Sequence, residues 1–176
     1  MHPLKIEILD ETRTMTEEEL GWVLRSATAA IQRLGSRGEV RIRVVGDEAM
    51  AAAHVEFAGV EGTTDVLTFD MSEPESGVLP ALPTPEQVSL DDVRGLDGLD
   101  TDILICIDEA KRQAAGRGYS FDRELLLYIL HGVLHCLGFD DHEEATYEAM
   151  HAMEDAVLAA IGVGPVFHRP FVGDPG

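Results

Sequence analysis

The sequence is poor in basic residues and in cysteine, and each shortage disfavours a class of protein. Only 13 of the 176 residues are Lys or Arg, against 33 Asp or Glu, so the formal net charge is −20. Tight, purely electrostatic binding of nucleic acid is therefore disfavoured, because Lys and Arg at phosphates supply most of that affinity. Cys106 and Cys136 are the two cysteines. They make no disulfide framework, and we expect both to be small hydrophobes in a reducing compartment.

Long apolar runs are also missing. None approaches the roughly 20 residues that cross a bilayer, and the N-terminus lacks a basic flank followed by an apolar segment. We therefore expect a cytoplasmic protein without a membrane partner. The length is most simply that of one domain, 1–176, which is large enough to bury about two thirds of its unfolded surface.

Hydrophobic periodicity predicts an α+β fold with a mixed sheet of about four strands and about five helices. The first helix has a clear start, because Thr16 followed by Glu19 forms a capping box. Asp47 and Asp108 are expected to cap the second and third helices. The predicted strands are 5–9, 40–45, the β-branched run that follows a turn within 62–70, and 102–107. The predicted helices are 16–35, 48–57, 108–117, 120–138 and 143–161.

The segment 70–102 has little periodicity. It carries four prolines among nine acidic residues and a lone Arg94. Such a composition is typical of a solvated excursion between two strands rather than of a packed element. We therefore interpret it as an acidic, Pro-rich insertion within the single domain.

Two histidines in the fourth helix have the spacing of a metal site. His131 and His135 lie one turn apart on the same face, since a helix advances about 3.6 residues per turn. Gly138 lies where a helix would end in a left-handed cap, so the chain can turn back and bring Asp141 or His142 up as a third ligand. Three protein ligands leave one position of a tetrahedral Zn²⁺ open, which is the catalytic pattern.

The residue between the histidines argues against peptide hydrolysis. Zinc metalloproteases place a general-base Glu directly after the first His, and here that position is Gly132. Chance burial of two unpaired imidazoles would be costly, so the metal interpretation is preferred over a core packing role. The remaining histidines, His2, His54, His151 and His168, are expected at packing or surface positions.

Three stretches together resemble a known family. The histidine motif at 131–140, the Thr-Asp-Val-Leu-Thr-Phe stretch at 64–69, and the strand and helix at 102–118 are similar to the YbeY family of single-domain bacterial metal-dependent endoribonucleases, over roughly 40–161. The resemblance implies one Zn²⁺ held by three histidines and cleavage of single-stranded RNA. It also implies maturation of the 16S rRNA 3′ end and ribosome quality control. The implied partners are ribosomal RNA and the small ribosomal subunit or ribosome-associated proteins.

The resemblance leaves the third ligand open. The family places it six residues beyond the second histidine, at Asp141, whereas a histidine stands one residue later at His142. We predict His131, His135 and His142 as the ligands, because neutral imidazole binds Zn²⁺ well and a loop absorbs one extra residue easily. Coordination by Asp141 is the alternative. Asp65 is the predicted catalytic residue, with a turn or cap role as its alternative.

The chain departs from the family where RNA is expected to bind. The family commonly has an arginine at the position of Ala58. Phosphate contacts would then fall to other cations, and the candidates, each of which could also be simply solvated, are Arg41, Arg43, Arg112, Arg117 and Arg123. We therefore expect weak intrinsic affinity for RNA. Two alternatives stay open: a non-catalytic ribosome-assembly factor with a zinc site, and another metal-dependent hydrolase.

Overall fold

A computed structural model describes residues 3–73 and 88–164. Its sheet has four strands in the order β1-β2-β4-β3; β1, β2 and β4 run parallel, and β3 runs antiparallel to β4. The mixed α+β fold predicted from the sequence is confirmed. None of the helices in these two ranges is long and apolar enough to cross a membrane. The strands are β1 (Leu4–Asp10), β2 (Gly38–Val45), β3 (Val66–Asp70) and β4 (Leu99–Cys106), and the helices are α1 (Glu17–Arg33), α2 (Asp47–Ala58), α3 (Ile107–Arg117), α4 (Phe121–Cys136) and α5 (Glu144–Ala160).

The main core lies on one face of the sheet. Alternate residues of β2 point to that face and are buried, whereas Arg41 and Arg43 point to the other, as the period-two pattern predicts. Helices α1, α4 and α5 cover the core face, and α2 covers part of the opposite face with a smaller cluster around Met50. The residues of α4 from Leu125 to Leu130 are all buried, so this helix passes through the middle of the domain.

The helix starts agree with the prediction at α1 and differ at α2 and α3. Thr16 and Glu19 form the predicted capping box. Asp47 and Asp108 are not the N-caps, a role taken by Gly46 and Cys106. The first turns of α2 and α3 lie side by side, so the carboxylate of Asp108 accepts a hydrogen bond from the backbone N–H of Asp47 at 2.8 Å.

The acidic segment is shorter than the composition predicts. β4 begins at Leu99 rather than at 102, because Leu99 and Thr101 are buried and pair with Gly38 and Val40 of the neighbouring strand. β3 begins at Val66, after the turn predicted to lead into this strand. Residues 74–87 of the predicted insertion lie outside the described residues.

Candidate metal centre

The candidate metal centre lies where α4 ends and the chain reverses. Gly138 adopts a positive φ of 103°, as the cap prediction requires. The N–H of Phe139 then donates to the carbonyl of Leu134 at 3.0 Å, and the buried Phe139 ring anchors the turn. Two residues after Phe139, Asp141 lies beside the two histidines.

The side chains of His131, His135 and Asp141 converge. Their ligand atoms all lie within 4.8 Å of one another. The Nε2 atoms of the two histidines are 3.1 Å apart, and the Asp141 carboxylate oxygens lie 3.2 Å from Nε2 of His131 and 3.8 Å from Nε2 of His135. Tetrahedral bonds of ~2.1 Å separate ligand atoms by about 3.4 Å. The three donors therefore fit a Zn²⁺-sized ion with small adjustments.

The other ring nitrogens of the two histidines are already engaged. Nδ1 of His131 lies 2.7 Å from the carboxylate of Glu154, and Nδ1 of His135 lies 3.0 Å from the carbonyl oxygen of Phe139. Neither oxygen can donate a hydrogen, so each Nδ1 carries one, and Nε2 is the ring atom of each histidine that would bind a metal ion after giving up its own proton. This arrangement of outer acceptors is typical of metal-binding histidines.

The electrostatics of the metal-free group favour a shared proton. Burial lowers the pKa of His131, but hydrogen bonds to Asp141 and Glu154 outweigh burial and raise that pKa to about 10. The hydrogen bonds from His131 and His135 hold the pKa of Asp141 well below its usual range. Burial likewise opposes ionisation of Glu154, yet the imidazoles of His131 and His151 keep its pKa low. A metal ion would replace this proton, as ligand exchange requires.

His142 lies apart from the two histidines. Its side chain is 67% exposed, and its Nε2 lies 3.4 Å from the Asp140 carboxylate. That carboxylate also accepts from the backbone N–H groups of Asp141 and His142, at 2.8 and 3.3 Å. This local turn points Asp141 inward and leaves His142 on the surface. The geometry therefore favours Asp141, the alternative in the sequence prediction, over His142.

A cleft of about 410 Å³ opens in front of the group. Its second wall is β3 with the loop that precedes it, which contributes the Thr64, Asp65, Thr68 and Asp70 side chains. Asp65 therefore reaches the cleft, and its carboxylate also accepts from the backbone N–H of Val66 at 2.8 Å, which is the turn role. In the described part of the chain, no Lys or Arg lines this cleft.

Gly132 is required by packing between α4 and the sheet. A Cβ at this position would lie 2.7 Å from Oγ1 of Thr68 and 3.2 Å from Cδ1 of Ile103. The glutamate of a metalloprotease therefore has no room here. Glycine therefore lets α4 approach β3 closely at Thr68.

Four of the five candidate arginines are held by carboxylates. Arg41 donates to Asp102 at 2.5 Å and also to Asp100, while Arg43, Arg112 and Arg117 each pair with acidic residues within 3.4 Å. Arg123 is exposed in the first turn of α4, at the end of the helix opposite the histidines. The structure brings none of the five to the cleft lining.

Glu154 was missed from the sequence, and His151, predicted at a packing or surface position, packs next to it. Glu154 is 1% exposed and binds His131, and His151 lies 2.8 Å from the other oxygen of the same carboxylate. The sequence carried a signal: Glu154 lies four residues after Met150 and four before Leu158, so it is a charge inside the apolar stripe of α5. A buried charge must be paired, so this position predicts a buried partner.

Fold and site together define a class: a small mixed α+β protein with a two-histidine, one-carboxylate group at the end of its central helix. The family model described as Endoribonuclease YbeY matches residues 5–162. Proteins named Endoribonuclease YbeY are 32% identical over 163 residues in Geobacillus thermodenitrificans, covering 91% of this chain and 97% of that protein. In Mycobacterium bovis the identity is 33% over 156 residues, covering 88% and 82%.

The chain belongs to the YbeY endoribonuclease family. A solved structure agrees in fold: the solution structure of TM1509 from Thermotoga maritima superposes with a TM-score of 0.53 at 21% identity, covering 88% of this chain and 90% of that one. At this identity the likeness concerns the fold alone.

Proposed function

We propose that this protein is a metal-dependent endoribonuclease that cleaves phosphodiester bonds in single-stranded RNA, with one Zn²⁺ per chain. The observation that carries the proposal is the convergence of His131, His135 and Asp141 at a cleft, with both Nε2 atoms facing the same point. Membership of the family supports the same activity, since its curated relatives are named endoribonucleases.

The charge of the cleft supports a need for the ion. Asp65, Asp70 and Asp141 line it, so an RNA phosphate would meet negative charge there. A bound divalent ion would supply a Lewis acid that polarises a phosphoryl oxygen. Thr64 and Thr68 offer hydroxyl groups to the substrate from the opposite wall. In this proposal Asp65, whose carboxylate accepts from the N–H of Val66, orients a water or accepts a proton.

The cellular role that best suits this chain is maturation of ribosomal RNA, including the 16S rRNA 3′ end, and ribosome quality control in the cytoplasm. Since none of the described residues that line the cleft is Lys or Arg, free RNA gains little from phosphate contacts. Specificity then comes from a ribosomal particle, such as the small subunit, or from a ribosome-associated protein that presents the RNA.

Cleavage of a labelled single-stranded RNA tests the activity. The purified protein, after metal analysis, is compared with His131→Ala, and the same RNA as a duplex is the substrate control. We expect zinc-dependent cleavage of the single strand, loss of cleavage in the variant, and little cleavage of the duplex. Equal cleavage by the variant and the wild type would refute the catalytic proposal.

A non-catalytic ribosome-assembly factor is the second candidate, and the ion-paired arginines favour it. Arg41, Arg43, Arg112 and Arg117 are tied to carboxylates and away from the cleft lining. If the wild type binds zinc and small ribosomal subunits but leaves every single-stranded RNA intact, this second function replaces the first.

A further inference from the structure

A buried carboxylate on α5 bridges two imidazoles. Glu154 is 1% exposed; its Oε1 lies 2.7 Å from Nδ1 of His131, and its Oε2 lies 2.8 Å from Nδ1 of His151. Oε1 is hydrogen-bonded to the His131 ring, whereas Oε2 lies close to the His151 ring without an aligned hydrogen bond from the described residues. The first ring belongs to the candidate metal centre and the second does not.

The far ring is itself fixed. His151 is 13% exposed, and its ring packs against Tyr147 with centroids 4.3 Å apart and planes at 66°. Since His151 and Glu154 are three residues apart on one helix, their relative position is set by the helix. The chain of contacts runs along α5 from Tyr147 through His151 to Glu154, and from there to His131 on α4.

An ionised carboxylate accepts hydrogen bonds only, so Glu154 requires a hydrogen on Nδ1 of His131. When Nε2 gives up its proton to bind a metal ion, this bond keeps the remaining hydrogen on Nδ1, and it fixes the plane of the ring. A carboxylate on the far nitrogen also makes an imidazole a stronger ligand. The acceptor for Nδ1 of His131 belongs to α5 and not to α4, so this orientation depends on the packing of the two helices.

We propose that Glu154 and His151 are positioning residues of the candidate metal centre: Glu154 orients His131 toward the ion, and His151 holds the second oxygen of Glu154 in place. The inference rests on the proposed function only in that His131 binds the metal. A purely structural link between α5 and α4 is the rival explanation. This rival predicts that substitution of Glu154 changes the folding stability but leaves the metal affinity and the ligand field of the bound metal unchanged.

Metal affinity and the visible spectrum of the Co²⁺ form test the proposal on the full chain. Glu154→Gln keeps the shape and removes the charge, while Glu144→Gln removes a carboxylate from the exposed first turn of the same helix. We expect Glu154→Gln to weaken Zn²⁺ binding in chelator competition by ~10- to 100-fold and to shift the Co²⁺ bands. Glu144→Gln should match the wild type in both measurements.

The role of His151 is tested by coupling. His151→Phe keeps an aromatic ring beside Tyr147 but removes the nitrogen, and we expect a smaller loss of Zn²⁺ affinity and a band shift in the same direction. In the Glu154→Gln background the same substitution should change little, because the oxygen it holds is gone. Equal effects of His151→Phe in both backgrounds would remove His151 from the proposal.

The outcomes separate this inference from the proposed function. If the wild type binds Zn²⁺ and Co²⁺ while Glu154→Gln matches it within twofold, the positioning role is wrong and the metal centre stands. If the wild type takes up neither ion, both fail. Should Glu154→Gln not fold, Glu154→Asp, which withdraws the carboxylate by one methylene, serves instead with the same expected direction.

Discussion

The identity of the third ligand can be decided by comparing two adjacent residues. Asp141→Ala removes oxygens that lie 3.2 and 3.8 Å from the histidine Nε2 atoms, whereas His142→Ala removes a ring that is 67% exposed and faces Asp140. If Asp141 binds the ion, its loss should reduce zinc affinity more than loss of an outer partner, which costs 10- to 100-fold.

We therefore expect Asp141→Ala to lower Zn²⁺ affinity by at least ~100-fold, about 2.7 kcal/mol. His142→Ala should stay within about twofold of the wild type, since a change at an exposed side chain outside the site costs little. Competition with a chromophoric chelator gives the affinities, and elemental analysis gives the metal content of each purified variant.

A substitution that restores a ligand supplies the matched control. Asp141→His places an imidazole at the position six residues after His135, and it should keep zinc where Asp141→Ala loses it. The reasoning is refuted if His142→Ala loses zinc while Asp141→Ala retains it. In that event the loop rearranges when the ion binds, and the turn made by Asp140 does not persist.

Three further predictions concern packing, pH and RNA. Gly132→Ala should destabilise the fold by ~1–3 kcal/mol in chemical denaturation, because its Cβ would lie 2.7 Å from Oγ1 of Thr68; an unchanged midpoint would contradict this close approach. Asp10 accepts from the N–H groups of Thr12, Thr14 and Met15 at 2.9–3.0 Å, and although burial opposes it, these bonds and the Thr12 hydroxyl lower its pKa. Asp10→Asn should therefore cost ~1–2 kcal/mol at pH 7. Because the folded pKa is depressed, this difference is complete above pH ~4 and disappears as the pH falls through the folded value, which melting temperatures of both proteins between pH 7 and pH 3 would show. Free single-stranded RNA should bind more weakly than ~1 µM at physiological salt in an anisotropy titration, and nanomolar binding would overturn the expectation of presentation by a particle.

The parts of the site that the sequence predicts are those set by local geometry. The separation of His131 and His135 follows from the helix pitch alone, and the turn after them follows from Gly138. The Thr16 capping box is equally local. In each case both partners lie within a few residues, so the pattern determines the contact.

The parts that the sequence misses depend on what another element brings. One exception is local: the Asp140 carboxylate accepts from the two backbone N–H groups that follow it, and this turn, which points Asp141 inward and leaves His142 on the surface, has no signature in the periodicity. Glu154 lies 23 residues after His131 and contacts it from a different helix. Arg41 is neutralised by Asp102, 61 residues later in the chain. Such pairings depend on the packing of the sheet and helices, which periodicity does not encode.

The reciprocal contact between α2 and α3 has a consequence for how activity will respond to ionic strength. Within α2, all of which the structure describes, Met50 alone is fully buried, with Ala53 and Phe57 packed at the surface of the sheet. The N-terminus of the helix is held by the N–H of Asp47 bonded to Asp108 and by two 2.7 Å bonds from Arg112 to the Asp47 carboxylate. The Arg112–Asp47 pair is about half exposed and is therefore weakened by salt. The loop that carries Thr64 and Asp65 follows α2 directly. We therefore expect added salt to weaken the attachment of one wall of the cleft, in addition to screening the charge of the RNA. The salt dependence of cleavage therefore reflects the conformation of the cleft wall as well as the affinity for RNA.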